Sequence, residues 1–251
     1  MVQILNASRT GDYTVSHSIF QIFPINESRL LAECGFDIVS KWAFERFIGS
    51  YELQEAHEAN TFYRQLSTAP LAASLWGHIF EVKVLNIIDA RGCYLPIHGL
   101  TSPGVFPFRW TRSVGRSNFL RGSDFIDEIT TAIRDGVSSL HLVPSARNFT
   151  AVDSILYARN DVLTFIQATV TEKHPIRVTG LETLQSWLKP RTSLEHLRPS
   201  VSRPWRFIFI VPQGNMPTFK SQRLEGDDEG KWAGIVHQYV LGLEVIGKET
   251  K

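Results

Sequence analysis

Three segments rich in β-forming residues follow one another between residues 138 and 170, which read SSLHLVPSARNFTAVDSILYARNDVLTFIQATV. The turn-forming residues of PSARN and RND separate these segments, and the pattern predicts a strand followed by a hairpin. Gln167, Thr169 and Thr171 then recur at a spacing of two, which places their side chains on one face of a strand. An amphipathic strand with one solvated face explains this polar row, and a functional site is the second interpretation.

The first part of the chain has a different pattern. The segment VSHSIFQIFP predicts a short strand that Pro24 closes, because proline has no amide hydrogen to donate. From about Ile38 to Leu66 the apolar residues fall at helical spacing. We therefore predict a mostly helical lead-in over residues 1–66 and a second domain over residues 67–251.

The clearest helix covers residues 71–92, which read LAASLWGHIFEVKVLNIIDARG. Its apolar residues form one stripe at helical spacing. Glu81 borders this stripe, and Gly77 one turn earlier gives another backbone room to approach. A glutamate whose methylene stem lies along the core explains this position, and a functional carboxylate is the alternative.

The remaining segments complete the predicted order of elements. Residues 93–122 carry proline breakers and predict an irregular region, and Ser123 then caps a short helix with acidic residues in its first turn. A helix over LETLQSWL, a buried strand over PWRFIFIVP, a polar loop and a final helix over KWAGIVHQYVLGLEVIG follow. This order predicts an α/β fold in which helices flank a mixed β-sheet.

Composition narrows the classes of protein. The chain has 251 residues with 43% hydrophobic content, enough for a substantial core. Its 26 basic and 25 acidic residues give a net charge of +1, which argues against coating nucleic acid or a membrane by charge alone. Cys34 and Cys93 are the only cysteines, so a reducing compartment is expected. The chain carries no signal-peptide pattern and no apolar run of membrane-spanning length, and we expect no membrane partner.

Asp153 lies in the apolar segment AVDSILYA, where a carboxylate is costly unless it is paired or binds a metal. The RND turn joins this segment to the strand of Gln167. Antiparallel pairing therefore predicts Asp153 across from Gln167, on the same face as Thr169. With Glu81 added, two acids and an amide oxygen make a set of hard oxygen ligands suited to Mg²⁺ or Mn²⁺.

These residues follow a known pattern. The arrangement resembles that of the restriction-endonuclease-like, or PD-(D/E)XK, nucleases. These proteins have an acid on the first helix, an Asp at one strand and an acid or Gln two residues before a Lys on the next strand. Five segments, taken in order, resemble the C-terminal nuclease-like region of fungal Crinkler and retrotransposon-hotspot-type proteins. They read LWGHIFEVKVL, NFTAVDSILYA, FIQATVTEKHPI, WRFIFIVP and VHQYVLGLE. The resemblance runs from about residue 70 to residue 245 and implies a restriction-endonuclease-like mixed sheet flanked by helices.

The resemblance also assigns roles to single residues. It makes Glu81, Asp153 and Gln167 the metal-binding set, and it counts these three and Thr169 as the catalytic residues. Thr169 stands where such proteins usually have a catalytic lysine. Because threonine has no positive charge to stabilise the phosphate, the implied site is altered.

Two residues in the loop after the strand are candidates to replace this lysine. Lys173 and His174 lie four and five positions beyond Thr169 and could reach back toward it. The alternative explanations are an exposed loop lysine and a histidine that caps the helix after Pro175.

Two basic stretches are candidates for contact with nucleic-acid phosphates. The arginines of the first stretch lie in an acid-free segment and are Arg91, Arg109, Arg112, Arg116 and Arg121. The basic residues of the second stretch surround a single acid and are Lys189, Arg191, Arg198, Arg203 and Arg206. Such patches give salt-dependent affinity without sequence specificity, and solvated arginine-rich loops are the alternative interpretation.

The sequence therefore predicts a metal-dependent DNA nuclease of the Crinkler effector type, slowed by the missing lysine. The alternative is a module that keeps the nuclease fold, has lost hydrolysis and binds nucleic acid or a nuclear protein. RNA is a second candidate ligand. The resemblance also implies an ATPase domain upstream in a longer parent protein, and it implies secretion and action in the nucleus of a host cell. This chain has no G-x-x-x-x-G-K-[ST] motif, so such an ATPase is not within it.

Overall fold

The described part of the chain begins with two paired strands. In the computed structural model β1 (Phe20–Pro24) and β2 (Cys34–Ile38) pair in antiparallel orientation, with Ile22 opposite Phe36. The predicted strand that ends at Pro24 is confirmed, whereas most of the predicted helical region that follows it lies outside the described residues. The structure describes residues 20–24, 34–38, 63–68, 73–90, 93–110, 116–145, 149 and 152–244.

The chain divides into two compact units, Met1–Val82 with Ile246–Lys251 and Lys83–Val245. The helix α1 (Ala73–Ala90) contains the point of division. This helix confirms the one predicted from the apolar stripe.

Aromatic packing connects the helical parts of the first unit. Residues 63–68 are helical, and the ring centroid of Trp76 lies 6.5 Å from that of Tyr63 and 6.0 Å from that of Phe80. Ile79 and Phe80 are fully buried. Burial of such a side chain contributes about 1.5–3 kcal/mol, so the apolar stripe of α1 accounts for its position here.

The second unit is built on one eight-stranded mixed sheet with the spatial order β4-β3-β12-β10-β8-β7-β6-β5. The strands β6, β7 and β8 form an antiparallel meander, and β8, β10 and β12 run parallel to one another. The short strands β9 and β11 pair in parallel outside this sheet. The strands of the second unit are β3 (Cys93–Gly99), β4 (Val105–Trp110), β5 (Arg116–Phe119), β6 (Ser139–Pro144), β7 (Ser154–Ala158), β8 (Thr164–Ala168), β9 (Ile176–Arg177), β10 (Trp205–Pro212), β11 (Leu224–Glu225) and β12 (Val236–Leu243).

Two helices cover one face of the large sheet. The helices α2 (Gly122–Arg134) and α3 (Val178–Leu188) contact each other and share one apolar core with the sheet. Phe165 is fully buried in this core. Since side chains alternate along a strand, Gln167 projects from the same helix-covered face as Phe165, and Ile166 projects from the opposite face.

The predictions for β6, the β7–β8 hairpin, α3 and β10 are confirmed, but the irregular region predicted over residues 93–122 is wrong. Its first part contains β3 and β4, an antiparallel pair in which Pro96 lies opposite Pro107. β4 is at the edge of the sheet, and β3 pairs with β12 only through His98 and Gly99. The prolines therefore occupy positions where no neighbouring strand needs their missing amide hydrogens.

The final helix predicted over KWAGIVHQYVLGLEVIG is also wrong. The segment forms β12, which runs parallel to β10 with Gln238 opposite Phe207. Val236, Gln238 and Val240 are buried, and this period of two is that of a strand with one covered face.

The start of α2 differs from the prediction in the residue that caps it. Arg121 is the N-cap in place of Ser123. The Asp124 carboxylate accepts hydrogen bonds from the backbone N–H groups of Arg121 (3.0 Å) and Leu120 (3.1 Å). These two bonds hold the pKa of Asp124 below its usual range, and they confirm a capping role for this acid.

The described second unit confirms an α/β fold with a mixed β-sheet and packed helices. Among the described helices, none combines the length and apolar character that crossing a membrane requires.

Candidate functional site at the end of strand β8

Asp153 and Gln167 lie opposite each other at the open end of the β7–β8 hairpin. The last paired residues of the hairpin are Ser154 and Ile166, and Asp153 and Gln167 come next along the two segments. The side-chain Nε2 of Gln167 donates a hydrogen bond to Asp153 Oδ2 at 2.9 Å. The predicted antiparallel juxtaposition of Asp153 and Gln167 is therefore confirmed.

The Asp153 carboxylate also ends the backbone ladder of the hairpin. Its Oδ2 accepts a hydrogen bond from the backbone N–H of Ala168 at 2.7 Å, and its own N–H donates to Ile166 O at 2.9 Å. A side-chain oxygen thus replaces the carbonyl that a longer β7 would offer to β8. Asp153 has a structural function here whatever its chemical role.

Thr169 lies just beyond β8 with its side chain 5% exposed, and its backbone N–H donates to Ile210 O at 2.9 Å. Its hydroxyl lies 3.0 Å from that of Thr171 and accepts from the Thr171 N–H at 3.2 Å. The Thr171 hydroxyl donates its single proton to Lys173 O at 3.1 Å, so the Thr169 hydroxyl is the donor to Thr171. In this arrangement Thr169 has no proton left to donate to a ligand.

The two candidates to replace the lysine differ in charge. Lys173 is exposed, in keeping with the simpler explanation of a loop lysine. His174 is half-buried, and burial, with a smaller contribution from Arg177, lowers the pKa of its imidazole. This shift favours the neutral imidazole over the cation that would replace the missing lysine.

The alternative proposed for His174 is also wrong. α3 begins at Val178 with Arg177 as its N-cap, so His174 does not cap it. The backbone N–H of His174 instead donates to Gln222 Oε1 at 2.6 Å.

Gln222 and Gln238, which we call the glutamine clamp, were not identified from the sequence. The Gln222 N–H donates to Gln238 Oε1 at 2.7 Å, and Gln238 Nε2 donates to Gln222 O at 2.8 Å. Gln222 Nε2 also donates to Glu172 O (3.0 Å) and Lys220 O (2.8 Å). Gln222 therefore fixes the loop after β8 to both the 220 segment and β12.

A cavity of about 330 Å³ adjoins the clamp. Its lining includes Gln222, Gln238, Thr101 and Asp227. The clamp amides are used within the protein, and Asp227 accepts hydrogen bonds from the backbone N–H groups of Trp232 and Ala233. These polar groups of the lining are therefore engaged in hydrogen bonds within the protein.

Glu81 lies in the first compact unit, whereas Asp153 and Gln167 lie in the second. Its side chain is partly buried, and its Oε2 lies 4.0 Å from His78 Nδ1. The grouping of Glu81 with the other two proposed ligands stays a prediction.

The first basic stretch is only partly available for binding. Arg109 and Arg121 are exposed, whereas Arg116 lies 3.9 Å from a carboxylate of α1. Arg91 and Arg112 lie outside the described residues. The predicted role of this stretch in binding nucleic acid stays a prediction.

Two members of the second basic stretch have structural partners. The guanidinium of Arg198 donates to carbonyls at the end of α3, including Lys189 O at 2.7 Å. Arg206 Nη1 lies 3.1 Å from Asp161 Oδ2. Arg198 and Arg206 are therefore both engaged in contacts within the protein next to the N-terminal end of β10.

The other three members, Lys189, Arg191 and Arg203, are exposed and carry no ion pair with any residue in the described part of the chain. They lie before the start of β10, whereas Gln167 pairs with Phe209 near the end of that strand. The second stretch is therefore at the opposite end of the sheet from Asp153 and Gln167.

Comparison of the chain with known protein families, curated proteins and solved structures finds no match. Since a fold alone does not define a function, function is argued from the chemistry of the site.

Proposed function

We propose that this chain is a metal-dependent DNA nuclease with a restriction-endonuclease-like fold and a site at the end of β8. The observation that carries the proposal is the contact between Asp153 Oδ2 and Gln167 Nε2 at 2.9 Å. A carboxylate and an amide, both on the helix-covered face at a strand end, provide oxygen atoms of the kind that Mg²⁺ and Mn²⁺ bind. The family resemblance supports the same assignment.

The donor set fits a hard cation with one adjustment. The Gln167 amide directs its nitrogen at Asp153, and a cation needs the amide oxygen instead. Binding therefore requires this amide to turn, with Asp153 as the proposed carboxylate ligand at this strand end; a ligand role for Glu81 is what the family resemblance implies. Bound Mg²⁺ or Mn²⁺ would activate a water for attack on phosphorus and neutralise the oxygens of the scissile phosphate.

The residues after the strand have separate proposed roles. Lys173 is the proposed source of positive charge, because it is exposed and its backbone is fixed through Thr171. His174 is the weaker candidate for this role, because burial lowers the pKa of its imidazole. Thr169 holds the turn, and the absence of a cation at its position is the reason to expect slow cleavage.

A second candidate function is a module that binds nucleic acid or a nuclear protein without hydrolysis. One observation favours it. Asp153 Oδ2 already accepts two protein hydrogen bonds, and the Thr169 proton is used within its own turn. Asp153 Oδ2 and the Thr169 hydroxyl therefore both have hydrogen-bond partners without a metal or substrate.

Cleavage of plasmid and linear DNA in Mg²⁺, Mn²⁺ or chelator tests the first candidate. Asp153→Asn removes the charge but keeps an oxygen acceptor, and Asp228→Asn makes the same change at an exposed loop carboxylate. We expect wild type and Asp228→Asn to cut with metal, and Asp153→Asn to lose at least about 100-fold in rate, as for loss of other groups that stabilise transition-state charge. Equal rates for all three proteins would refute the assignment.

A thermal unfolding series with Mn²⁺ separates the two candidates. A metal that binds only the folded chain raises its stability by about 2.7 kcal/mol at 100 times the dissociation constant. We expect this rise in wild type and not in Asp153→Asn. A folded chain that binds DNA without responding to Mn²⁺ supports the binding module.

The wider biological setting stays a proposal from the resemblance. It comprises secretion, action in a host nucleus, an ATPase domain upstream in a longer parent protein, and RNA as a second substrate. Cleavage of RNA beside DNA of the same sequence in the same assay tests the last of these directly.

A further inference from the structure

Two segments distant in sequence run side by side next to the end of β8. The glutamine clamp holds Glu172 O and the His174 N–H. Further along, the Ile176 N–H donates to Arg223 O at 2.9 Å, and Ile176 pairs with Leu224 where β9 meets β11. Segment 172–177 is thus fixed along segment 220–225.

This pairing brings together three basic residues that lie in neither arginine-rich stretch. Lys173, Lys220 and Arg223, which we call the basic ridge, are exposed and make no ion pair with a residue in the described ranges. Arg177 belongs to the same pair of segments, but its Nε lies 3.7 Å from Glu225 Oε2. The three positive charges of the ridge therefore have no ion-pair partner among the described residues, while Glu172 and Glu225 are the acids of the two segments and Asp227, Asp228 and Glu229 follow directly in the chain.

The backbone of the ridge is fixed. Glu172 O and Lys220 O accept hydrogen bonds from the same Gln222 nitrogen, at 3.0 and 2.8 Å, so Lys173 and Lys220 lie on adjacent chain segments. Arg223 directly follows Gln222 in the chain. Flexible side chains on a fixed backbone are suited to phosphates, which need positive charge at a defined spacing.

The ridge is also continuous with the candidate site. The Thr171 hydroxyl donates to Lys173 O, and the Thr169 hydroxyl lies 3.0 Å from that of Thr171. Thr169 is two residues beyond Gln167 on the same strand path. A phosphate that approaches the Asp153 carboxylate meets electrostatic repulsion, which nearby cations offset.

We infer that the basic ridge binds the phosphate backbone of nucleic acid and directs it to the end of β8. This inference rests on the proposed function, because the strand end gives the ridge its role. Nucleic acid fits better than an acidic protein, because the adjoining site is proposed to act on a phosphodiester. The ridge also accounts for phosphate binding by a chain with almost no net charge.

The test is binding of a fluorescent DNA duplex, followed by anisotropy over a range of KCl concentrations in chelator. The ridge variant is Lys173→Ala/Lys220→Ala/Arg223→Ala. The matched control, Arg134→Ala/Arg159→Ala/Lys231→Ala, removes the same charge from exposed residues outside the ridge and outside both arginine-rich stretches. Circular dichroism and thermal unfolding establish that each variant is folded.

A plot of log affinity against log salt has a negative slope. Loss of three phosphate contacts reduces the magnitude of this slope by about 0.9 per contact, or about 2 to 3 in total. We expect this change and at least about a tenfold loss of affinity at low salt in the ridge variant, with the control within about twofold of wild type. If the triple variant is unfolded, Lys173→Ala and Lys220→Ala singly are each expected to reduce the magnitude of the slope by about 0.9.

The inference is overturned if the ridge variant binds like wild type, if the control loses as much, or if wild type does not bind. Displacement of the duplex by polyglutamate at equal total charge assigns the ridge to an acidic protein and also overturns it. Because chelator prevents metal-dependent hydrolysis, this result is independent of catalysis. If the ridge variant loses DNA binding but wild type does not cleave DNA in Mn²⁺, the nuclease proposal is refuted and the ridge inference stands. If wild type cleaves DNA but the ridge variant binds it equally well, the ridge inference is refuted and the nuclease proposal stands.

Discussion

Replacing Asp153 with alanine tests whether its carboxylate holds the end of the β7–β8 hairpin. The change removes the acceptor of two hydrogen bonds, from Gln167 Nε2 at 2.9 Å and from the Ala168 N–H at 2.7 Å. Gln167 and Ala168 are only 7% and 8% exposed, so water replaces these bonds poorly.

The magnitude follows from the two donors left without a partner. A buried polar group that loses its partner costs about 1–3 kcal/mol, which gives an upper bound of about 6 kcal/mol for the pair. Asp153 itself is only partly buried, so water entering the vacated space reduces this cost. We expect about 2–3 kcal/mol, which corresponds to roughly 4–12 °C in melting temperature for a chain of this size.

Urea unfolding followed by tryptophan fluorescence measures this loss. Asp228→Ala is the matched control, because Asp228 is an exposed loop carboxylate and its removal is expected to change stability by less than about 0.5 kcal/mol. Asp153→Asn retains an acceptor oxygen and should fall between the two. If Asp153→Ala is no less stable than Asp228→Ala, the structural role assigned to this carboxylate is wrong.

Three further perturbations test other parts of the account. Gln222→Met keeps the side-chain length but removes the amide oxygen that accepts from the His174 N–H, so hydrogen exchange of the His174 amide should accelerate by about tenfold or more; unchanged protection would contradict this contact. Burial lowers the folded-state pKa of His174, so below about pH 6.5 the unfolded chain binds the extra proton more readily. His174 therefore reduces stability as pH falls through 6.5 toward its folded pKa, and His174→Asn should lose less stability than wild type between pH 7.5 and 5 in urea titrations. A Cβ on Gly122 would lie 2.5 Å from Trp187 Nε1, so Gly122→Ala should cost about 1–3 kcal/mol in the same titration, and an unchanged midpoint would count against this packing.

Local patterns predicted the centre of the fold well. The β7–β8 hairpin has a short turn, so the spacing of apolar residues determines its register and brings Asp153 next to Gln167 just beyond the last pair, Ser154 and Ile166. The same reasoning identified α1, α3 and β10, whose apolar patterns fit one period.

Ambiguous patterns produced the errors. Val236 and Val240 are four positions apart, which suits one face of a helix as well as alternate positions of a strand. Pairing with β10 decides in favour of the strand. Pro96 and Pro107 read as breakers because sequence does not reveal that they face each other near the sheet edge.

The basic ridge and its clamp depend on contacts that no local pattern contains. Gln222 follows His174 by 48 positions, and a parallel pair of two-residue strands joins their segments. The arginine-rich stretches could be recognised from the sequence because their basic residues lie close together along the chain. Density in sequence did not correspond to proximity to the site, since the second stretch lies at the other end of β10.

The most direct test of the proposed function is the rate of plasmid cleavage in Mn²⁺ by wild type and by Asp153→Asn, with Asp228→Asn and chelator as controls. The account predicts metal-dependent cutting by wild type and Asp228→Asn, and a loss of at least about 100-fold in Asp153→Asn. Cutting that survives in chelator, or that Asp153→Asn retains in full while folded, would contradict the assignment of the nuclease site to the end of β8.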